Sequence, residues 1–142
     1  AIANGGRLMK PLVVEKILTP DGKTINVEPQ VEKQVISSAT AKVMTWMMVN
    51  AVENGEAKFA KIPNYHIAGK TGTAQIPVAG HYDPTNTNAS FVGFFPAEDP
   101  QITMLVIVNR PQSSIYGAET AAPTFFAIAR DIIQYYNIES SK

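Results

Sequence analysis

Apolar residues near the start of the chain are arranged as two short strands around a turn. Residues 12–18 are mostly apolar and partly β-branched, and they lead into Thr19-Pro20-Asp21-Gly22. Proline presets φ within a turn, and glycine tolerates the positive φ that often follows it. The pattern therefore predicts a β-hairpin whose second strand is residues 23–27.

A helical repeat follows between residues 37 and 52. Ser37 or Ser38 is a suitable N-cap, and Asn54-Gly55 is a typical left-handed helix end. Apolar side chains recur at the three- and four-residue spacing of one helix face, which predicts a stripe that faces the core. A binding groove lined by methionines is the less favoured alternative. The stripe is Met44, Met47, Met48 and Ala51, widened by Val43 and Trp46.

The second half of the chain has the pattern of three strands and a helix. The predicted strands are residues 65–76, 89–95 and 101–109. The last strand is apolar at nearly every position, which predicts burial on both faces in the middle of a sheet. The short turn before it favours antiparallel pairing, and the polar residues 77–88 are expected to form an irregular loop. An amphipathic helix at residues 120–136 completes an α+β fold in which this helix packs on an antiparallel sheet.

Composition narrows the classes of function. The 142 residues suit one domain, and 12 Lys+Arg against 12 Asp+Glu leave a net charge of +0, which excludes the basic footprint of a nucleic-acid-binding protein. The chain has no cysteine, which excludes disulfides, thiolate metal sites and a thiol nucleophile. No apolar run approaches the ~20 residues of a membrane-spanning helix. These properties predict a neutral globular domain or a part of one.

The segment Gly69-Lys70-Thr71-Gly72-Thr73 is the most unusual in the chain. Its Gly-Lys-Thr resembles the end of the phosphate-binding loop G-x-x-x-x-G-K-[ST]. However, Asn64 stands where the first glycine of that loop belongs, and Thr-Gly-Thr is a poor helix start. A nucleotide site is therefore not expected here.

Read as a strand, the same segment has a polar face. Alternation places Thr71, Thr73 and Gln75 on one face and Lys70 and Gly72 on the other, so the lysine has to curl around an edge to join the hydroxyls. Two hydroxyls beside a cation suit an anionic group such as a carboxylate, and a free backbone N–H can stabilise a developing oxyanion. The alternative interpretation is an edge strand that binds no ligand, in which lysine and threonine only protect the edge from pairing with another strand.

The two histidines do not indicate a metal or catalytic site. His66 and His81 are not accompanied by an H-E-x-x-H motif or a carboxylate cluster, so we expect no metal. His66 is predicted to pack or to hydrogen bond, and His81 to lie in the polar loop. A triad of Ser90, His81 and Asp83 is not favoured, because no nucleophile-elbow sequence surrounds the serine.

The residues from Ile67 to Gln75, Ile-Ala-Gly-Lys-Thr-Gly-Thr-Ala-Gln, closely resemble the K-T-G segment of class B penicillin-binding proteins, the peptidoglycan D,D-transpeptidases. The resemblance extends over the whole chain and is closest to the division-type, FtsI-like members. The other matching stretches are Ala3-Asn4-Gly5-Gly6 with Lys10-Pro11, residues 89–96, Tyr116-Gly117 and Ala121-Ala122-Pro123-Thr124-Phe125.

The resemblance implies a serine acyltransferase that cross-links peptidoglycan stem peptides, is acylated by penicillins and other β-lactams, and needs no cofactor. It gives Lys70 and Thr73 catalytic roles, since the lysine orients a serine and the Thr73 N–H is an oxyanion donor. Thr71, Gly72, Thr73 and Gln75 would bind substrate, with both hydroxyls on its carboxylate. Residues 77–88 would form a wall of the cleft.

One departure from the family is decisive for the chain's activity. No serine is followed three residues later by lysine, so the S-x-x-K nucleophile motif is absent, and so is S-x-N. Residues 1–142 are therefore interpreted as the C-terminal portion of a transpeptidase domain, an incomplete portion of the fold shared with serine β-lactamases. The resemblance implies that the N-terminal half, a non-catalytic region and a membrane anchor are missing here.

The same resemblance predicts the cellular setting. It implies an enzyme on the extracytoplasmic face of the bacterial inner membrane that works with divisome or elongation membrane proteins and not with nucleic acid. The chain alone is expected to be inert, to expose an apolar patch, and to associate with its missing half or with itself. The alternative is a non-catalytic peptidoglycan- or protein-binding module that keeps the carboxylate-binding strand.

Overall fold

The computed structural model describes residues 1–141, which divide into two compact units, Ala1–Val43 and the residues from Met44 onward. Lys58–Ala60 form a short 3₁₀ turn. The strands are β1 (Arg7–Met9), β2 (Lys16–Leu18), β3 (Thr24–Asn26), β4 (Val31–Gln34), β5 (Ala68–Val78), β6 (His81–Phe95) and β7 (Ile102–Asn109), and the helices are α1 (Ser38–Asn54) and α2 (Ala121–Tyr136).

The first unit contains two small antiparallel pairs of strands. The predicted hairpin is confirmed: β2 pairs with β3, with Ile17 opposite Ile25, and Gly22 in the turn has φ of +82°. The second pair joins β1 to β4 and was not predicted. Strands this short carry too few residues to show an alternating pattern, and their pairing is a long-range contact that periodicity does not report.

Helix α1 begins where its cap was predicted, but its buried face is different. The Ser37 hydroxyl accepts a hydrogen bond from the Thr40 N–H at 3.0 Å, which is an N-cap bond. The predicted stripe is correct only in part: Met44, Met48 and Ala51 are half-buried, whereas Val43, Trp46 and Met47 are 60%, 43% and 59% exposed. The buried positions are Ala41, Thr45, Val49 and Val52. Both faces are apolar and differ by about one residue of rotation, so spacing alone did not choose between them.

The predicted left-handed end of α1 is also wrong. Neither Asn54 nor Gly55 has a positive φ. Instead, the Lys58 N–H donates to the Gly55 carbonyl at 3.2 Å, and the chain continues directly into the 3₁₀ turn. The next turn of backbone satisfies the helix end, so the chain does not reverse there.

The second unit is built on an antiparallel sheet of three strands in the order β5-β6-β7. The predicted α+β class, with the last helix on this sheet, is confirmed, and α2 packs against β6 and β7. The expectation that β7 lies in the middle is wrong, because β6 does. One face of β7 points towards α2, whereas Leu105 and Ile107 on the other face are 57% and 58% exposed. An apolar run predicts that its residues are buried in the complete protein, but it does not show whether the described chain contains the element that buries them.

Residues 77–88 form strand and not the predicted irregular loop. β5 and β6 continue through them as a hairpin that closes at Ala79 and Gly80, with φ of +48° and +83°. Positive φ at both central residues is the geometry of a type I′ turn, whose twist matches that of the strands. Within this stretch, Pro84 and Asn86 lie where the pairing is interrupted between Gln75 and Pro77.

Aromatic side chains from the sheet and from α2 form the centre of the core. Phe91 of β6 lies 4.6 Å from Phe125 and 5.3 Å from Phe126, measured between ring centroids. Phe95 meets Phe125 edge to face at 6.1 Å. All four rings are at least 99% buried, so this cluster holds the helix on the sheet.

Truncation of the central ring tests this description of the core. Phe125→Ala is expected to lower the free energy of unfolding by about 3–5 kcal/mol, because it removes a fully buried aromatic side chain and leaves a cavity. Tyr135→Ala on the same helix, where the ring is 78% exposed, is the matched control and should cost less than about 1 kcal/mol. Urea unfolding measures both, and equal losses would contradict the assignment of Phe125 as the centre.

Candidate functional site

The register of β5 on β6 decides which face each residue of the K-T-G segment occupies. Directly opposed residues of an antiparallel pair share a face. Thr71 is opposite the buried Phe91, and Thr73 is opposite Ala89, so both hydroxyls lie on the face that carries the aromatic core. Gln75 follows on that face, and Lys70 and Gly72 lie on the other, as alternation predicts.

The Lys70 side chain crosses to the hydroxyl face. Its ammonium donates to the Thr71 carbonyl at 3.0 Å and to the Thr71 hydroxyl at 3.2 Å. β5 is an edge strand, so no neighbouring backbone blocks this path. Within residues 1–141 the ammonium has no carboxylate within 4.0 Å, and it keeps an N–H available for another acceptor.

Thr73 is fixed by a segment that comes from far along the chain. The Gly117 N–H donates to the Thr73 hydroxyl at 3.1 Å. A Cβ built on Gly117 would lie 2.3 Å from the Gly72 carbonyl oxygen and 2.4 Å from the Ser90 carbonyl oxygen. These are backbone atoms that cannot turn aside, so only glycine allows this approach.

These contacts determine whether each of the two hydroxyls donates or accepts towards a ligand. Each oxygen already accepts from a nitrogen donor, Lys70 Nζ for Thr71 and Gly117 N for Thr73. Each hydroxyl proton is therefore free to point at a further acceptor. Two O–H donors beside an ammonium that has no carboxylate partner within residues 1–141 form a site for an anion with several oxygens, and a carboxylate has that chemistry.

The space around the segment is partly enclosed. Lys70 and Thr71 border a cavity of about 230 Å³ whose other walls come from β6 and the end of α1. The walls are Ala51, Gly55, Glu56, Ala57, Gly69, Lys70, Thr71 and Phe91. The close approach at Gly72 is made by the protein itself, since a Cβ there would lie 2.4 Å from the Ser90 hydroxyl. Gln75 lies further along the strand and is exposed.

His66 takes part in a hydrogen-bonded cluster away from this segment, as the sequence predicted. Its ring Nδ1 is hydrogen bonded to Glu98, whose other oxygen accepts from the Ser141 hydroxyl at 2.8 Å. The His66 N–H donates to the Ser141 hydroxyl at 2.9 Å, and Glu53 lies 3.7 Å from His66 Nε2. Burial raises the pKa of Glu98, but the hydrogen bonds from His66 and Ser141 outweigh it, and the pKa is lower than the ordinary 4.5.

The remaining sequence candidates do not form a second site. His81 is exposed at the start of β6, and Asp83 hydrogen bonds to Thr85 and Asn86 and to neither His81 nor Ser90. No group of three or more His, Asp or Glu residues among positions 1–141 is arranged to hold a metal ion.

Sequence reasoning did not identify Gly117 as part of the site. Nothing in a single sequence connects residues 44 positions apart, and the only signal was that Tyr116-Gly117 is one of the stretches that resemble the family. The covering of Gly72 by Ser90 depends in the same way on the register of β5 against β6. Neither contact is local in the sequence, so residue spacing does not report it.

Comparisons with known proteins match nearly the whole chain. The family model of the penicillin binding protein transpeptidase domain matches residues 1–134. Stage V sporulation protein D of Bacillus subtilis is 35% identical over 145 residues, which cover 100% of this chain and 22% of that protein. Peptidoglycan D,D-transpeptidase FtsI of Buchnera aphidicola is 40% identical over 111 residues, 75% of this chain and 19% of that protein.

Among solved structures, penicillin-binding protein 3 of Mycobacterium tuberculosis in complex with ampicillin superposes with a TM-score of 0.86 at 30% identity. The match covers 99% of this chain and 33% of that one. The chain thus spans about a quarter of the length of the curated relatives, at 22% and 23% of the first two. None of the helices described in residues 1–141 has the length and hydropathy needed to cross a bilayer.

The cluster around His66 predicts an acid-dependent loss of stability. Because the pKa of Glu98 is lower in the folded chain than in the unfolded one, its contribution is complete above the unfolded value and disappears as the pH falls through the folded value. Glu98→Gln should therefore reduce the free energy of unfolding at neutral pH and have a smaller effect in acid. Urea unfolding across this range, with the exposed Glu139→Gln as control, measures the difference. An effect of Glu98→Gln that is the same at every pH would contradict it.

Proposed function

Since the chain belongs to the family of penicillin-binding protein transpeptidase domains, in agreement with its FtsI-like motifs, we propose that it supplies the K-T-G wall of a peptidoglycan D,D-transpeptidase. The curated relatives include peptidoglycan D,D-transpeptidases. The substrate is the D-Ala-D-Ala end of a stem peptide, and penicillins and other β-lactams occupy the same place.

The arrangement of Lys70, Thr71 and Thr73 is the observation that carries the proposal. The terminal carboxylate of the stem peptide needs donors and positive charge, and the segment presents two hydroxyl protons and an ammonium that has no carboxylate partner within residues 1–141. The free edge of β5 adds unpaired backbone N–H groups along the same line. Gln75 is assigned to the rim of this site.

The reaction divides between this chain and residues outside it. A serine oxygen attacks the carbonyl carbon between the two D-Ala residues, an ester forms, and the terminal D-Ala leaves with the proton. An amine of a neighbouring stem peptide then attacks the ester and releases the serine. Lys70 would orient a second serine that moves the proton, and the Thr73 N–H would be one donor to the oxyanion.

The nucleophile is assigned to residues that precede this sequence, because the chain carries no S-x-x-K. An apolar surface supports this division: Val92, Leu105 and Ile107 share one face of the sheet and are 41%, 57% and 58% exposed. Exposed apolar side chains in a row mark a surface that another element covers. We assign this cover to the N-terminal part of the same domain, and we place the complete enzyme on the extracytoplasmic face of the membrane with divisome or elongation proteins.

Covalent labelling with a fluorescent penicillin tests the proposal. The chain joined to its preceding residues should label, whereas the chain alone should not, because it lacks the serine. The stoichiometry after gel electrophoresis measures both. If the joined protein binds peptidoglycan fragments but never labels, the chain belongs to a non-catalytic binding module and the enzymatic assignment is wrong.

In the joined protein, Lys70→Ala should slow acylation by about 10²–10³-fold, because it removes a charged donor from the reacting centre. Thermal unfolding should change little, since the side chain is exposed and makes no ion pair in the described chain. Lys58→Ala, another exposed lysine of the second unit, is the matched control and should acylate normally. Normal acylation of the Lys70 variant would remove the lysine from the mechanism.

A further inference from the structure

Beyond Gln75 the pairing of β5 with β6 is interrupted by a large bulge. Gln75 is opposite Thr87, and the next pair is Pro77 with Tyr82. One residue of β5 therefore lies across from residues 83–86 of β6. A bulge of this kind changes the direction of the strands that continue past it. The part beyond it, residues 77–82, is the hairpin tip.

The Asp83 carboxylate holds the bulge in one shape. One oxygen accepts from the Thr85 N–H at 2.8 Å, from the Thr85 hydroxyl at 2.7 Å and from the Asn86 N–H at 3.1 Å. The other accepts from the Asn86 side-chain amide at 2.7 Å. Hydrogen bonds from Asn86 and Thr85 hold the pKa of Asp83 far below its usual value, so the carboxylate is ionised, and both of its oxygens accept hydrogen bonds within the bulge. Pro84 further limits the backbone between them.

The bulge is attached to the body of the unit, and the tip is not. Thr87, just after the bulge, is 99% buried, and its hydroxyl donates to the Ile115 carbonyl at 2.6 Å. In contrast, Val78 and Tyr82 in the tip are 50% and 72% exposed. The direction of the tip therefore depends on the bulge and not on packing against the core.

A ligand whose carboxylate lies at Thr71 and Thr73 can extend along β5 in one direction only. Towards the start of the strand, Gly69 and Ala68 are buried. Towards its end, the edge is open from Thr73 to the tip. Val78 lies five positions beyond Thr73, a distance of about 17 Å along the strand. An extended peptide needs about five residues to reach the tip, and a short ligand does not reach it.

We propose that Asp83 is a positioning residue that directs the hairpin tip towards the distal part of long ligands, and so determines how well long stem peptides and β-lactams with large side chains bind. This inference rests on the proposed function. Asp83 touches no ligand itself. It acts through Tyr82, which lies opposite Pro77 on the face that Thr73 and Gln75 continue by alternation, and whose exposed ring would contact the part of the ligand that lies beyond Gln75.

The test compares two ligands on the joined protein. One is a β-lactam nucleus without an acylamino side chain, which ends near Thr73, and the other is a β-lactam that carries a stem-peptide side chain. In Asp83→Ala, the dissociation constant of the non-covalent complex with the long ligand should rise at least fivefold, with an unchanged limiting rate of acylation. Acylation by the short ligand should stay within twofold of wild type. Asp83→Asn keeps the oxygen that accepts three of the four hydrogen bonds. Its dissociation constant for the long ligand should therefore lie between the values of the wild type and of Asp83→Ala.

Asp99→Ala, an exposed aspartate in the turn after β6, is the matched control and should change neither ligand. Thr85→Val removes one donor to Asp83 and should act in the same direction as Asp83→Asn, which keeps the test valid if the alanine variant fails to fold. Hydrogen exchange of residues 77–82 should accelerate in the variants. Equal loss for both ligands, or no loss for either, would overturn the inference. Wild-type protein that neither ligand acylates would refute the proposed function, and the inference would fall with it.

Discussion

The pairing of β5 with β6 is the interaction on which the candidate site depends. A shift of register by one residue would move every side chain of β5 to the opposite face. Phe91 opposes that shift, because its buried ring lies over Gly69, where a Cβ would come within 2.5 Å of the ring, and a shift by one residue would replace this glycine with a residue that carries a side chain. Thr71 is opposite Phe91, so the aromatic core that holds the helix on the sheet also places the hydroxyl. Stability and site geometry have the same origin here.

The chemistry of the site comes from a second set of contacts that secondary structure alone does not provide. A threonine hydroxyl is both donor and acceptor, and it acquires a direction only when one role is taken. Lys70 takes the acceptor role of Thr71, and Gly117 takes that of Thr73. A strand with free hydroxyls thereby becomes a strand that offers protons. The segment around Gly117 thus makes Thr73 a hydrogen-bond donor towards a ligand, although this segment lies outside the K-T-G strand.

The sequence predicted the elements well and their surroundings poorly. The hairpin at Gly22, the Ser37 cap, the three strands and the last helix all follow from local patterns, which one sequence contains. The buried face of α1 and the edge position of β7 depend on what packs against them, and that is not local. Residues 77–88 were misread because Pro84 and the asparagines around it are typical of loops, whereas here they form a bulge inside a hairpin. For the site, alternation placed Lys70, Thr71 and Thr73 on the observed faces, but the contacts of Gly117 with Thr73 and of Ser90 with Gly72 were missed.

The two open edges of the sheet are not equivalent. The Lys70 ammonium leaves its own face and reaches the Thr71 hydroxyl around the free edge of β5. A strand paired along that edge would occupy this path and the row of backbone groups beside it. The edge of β5 therefore has to remain open if the lysine and the hydroxyls are to act together. β7 has no such requirement, and its outer face carries the exposed Leu105 and Ile107. Further elements of a complete domain can extend the sheet at β7 without disturbing the site, whereas any that did so at β5 would separate its cation from its hydroxyls.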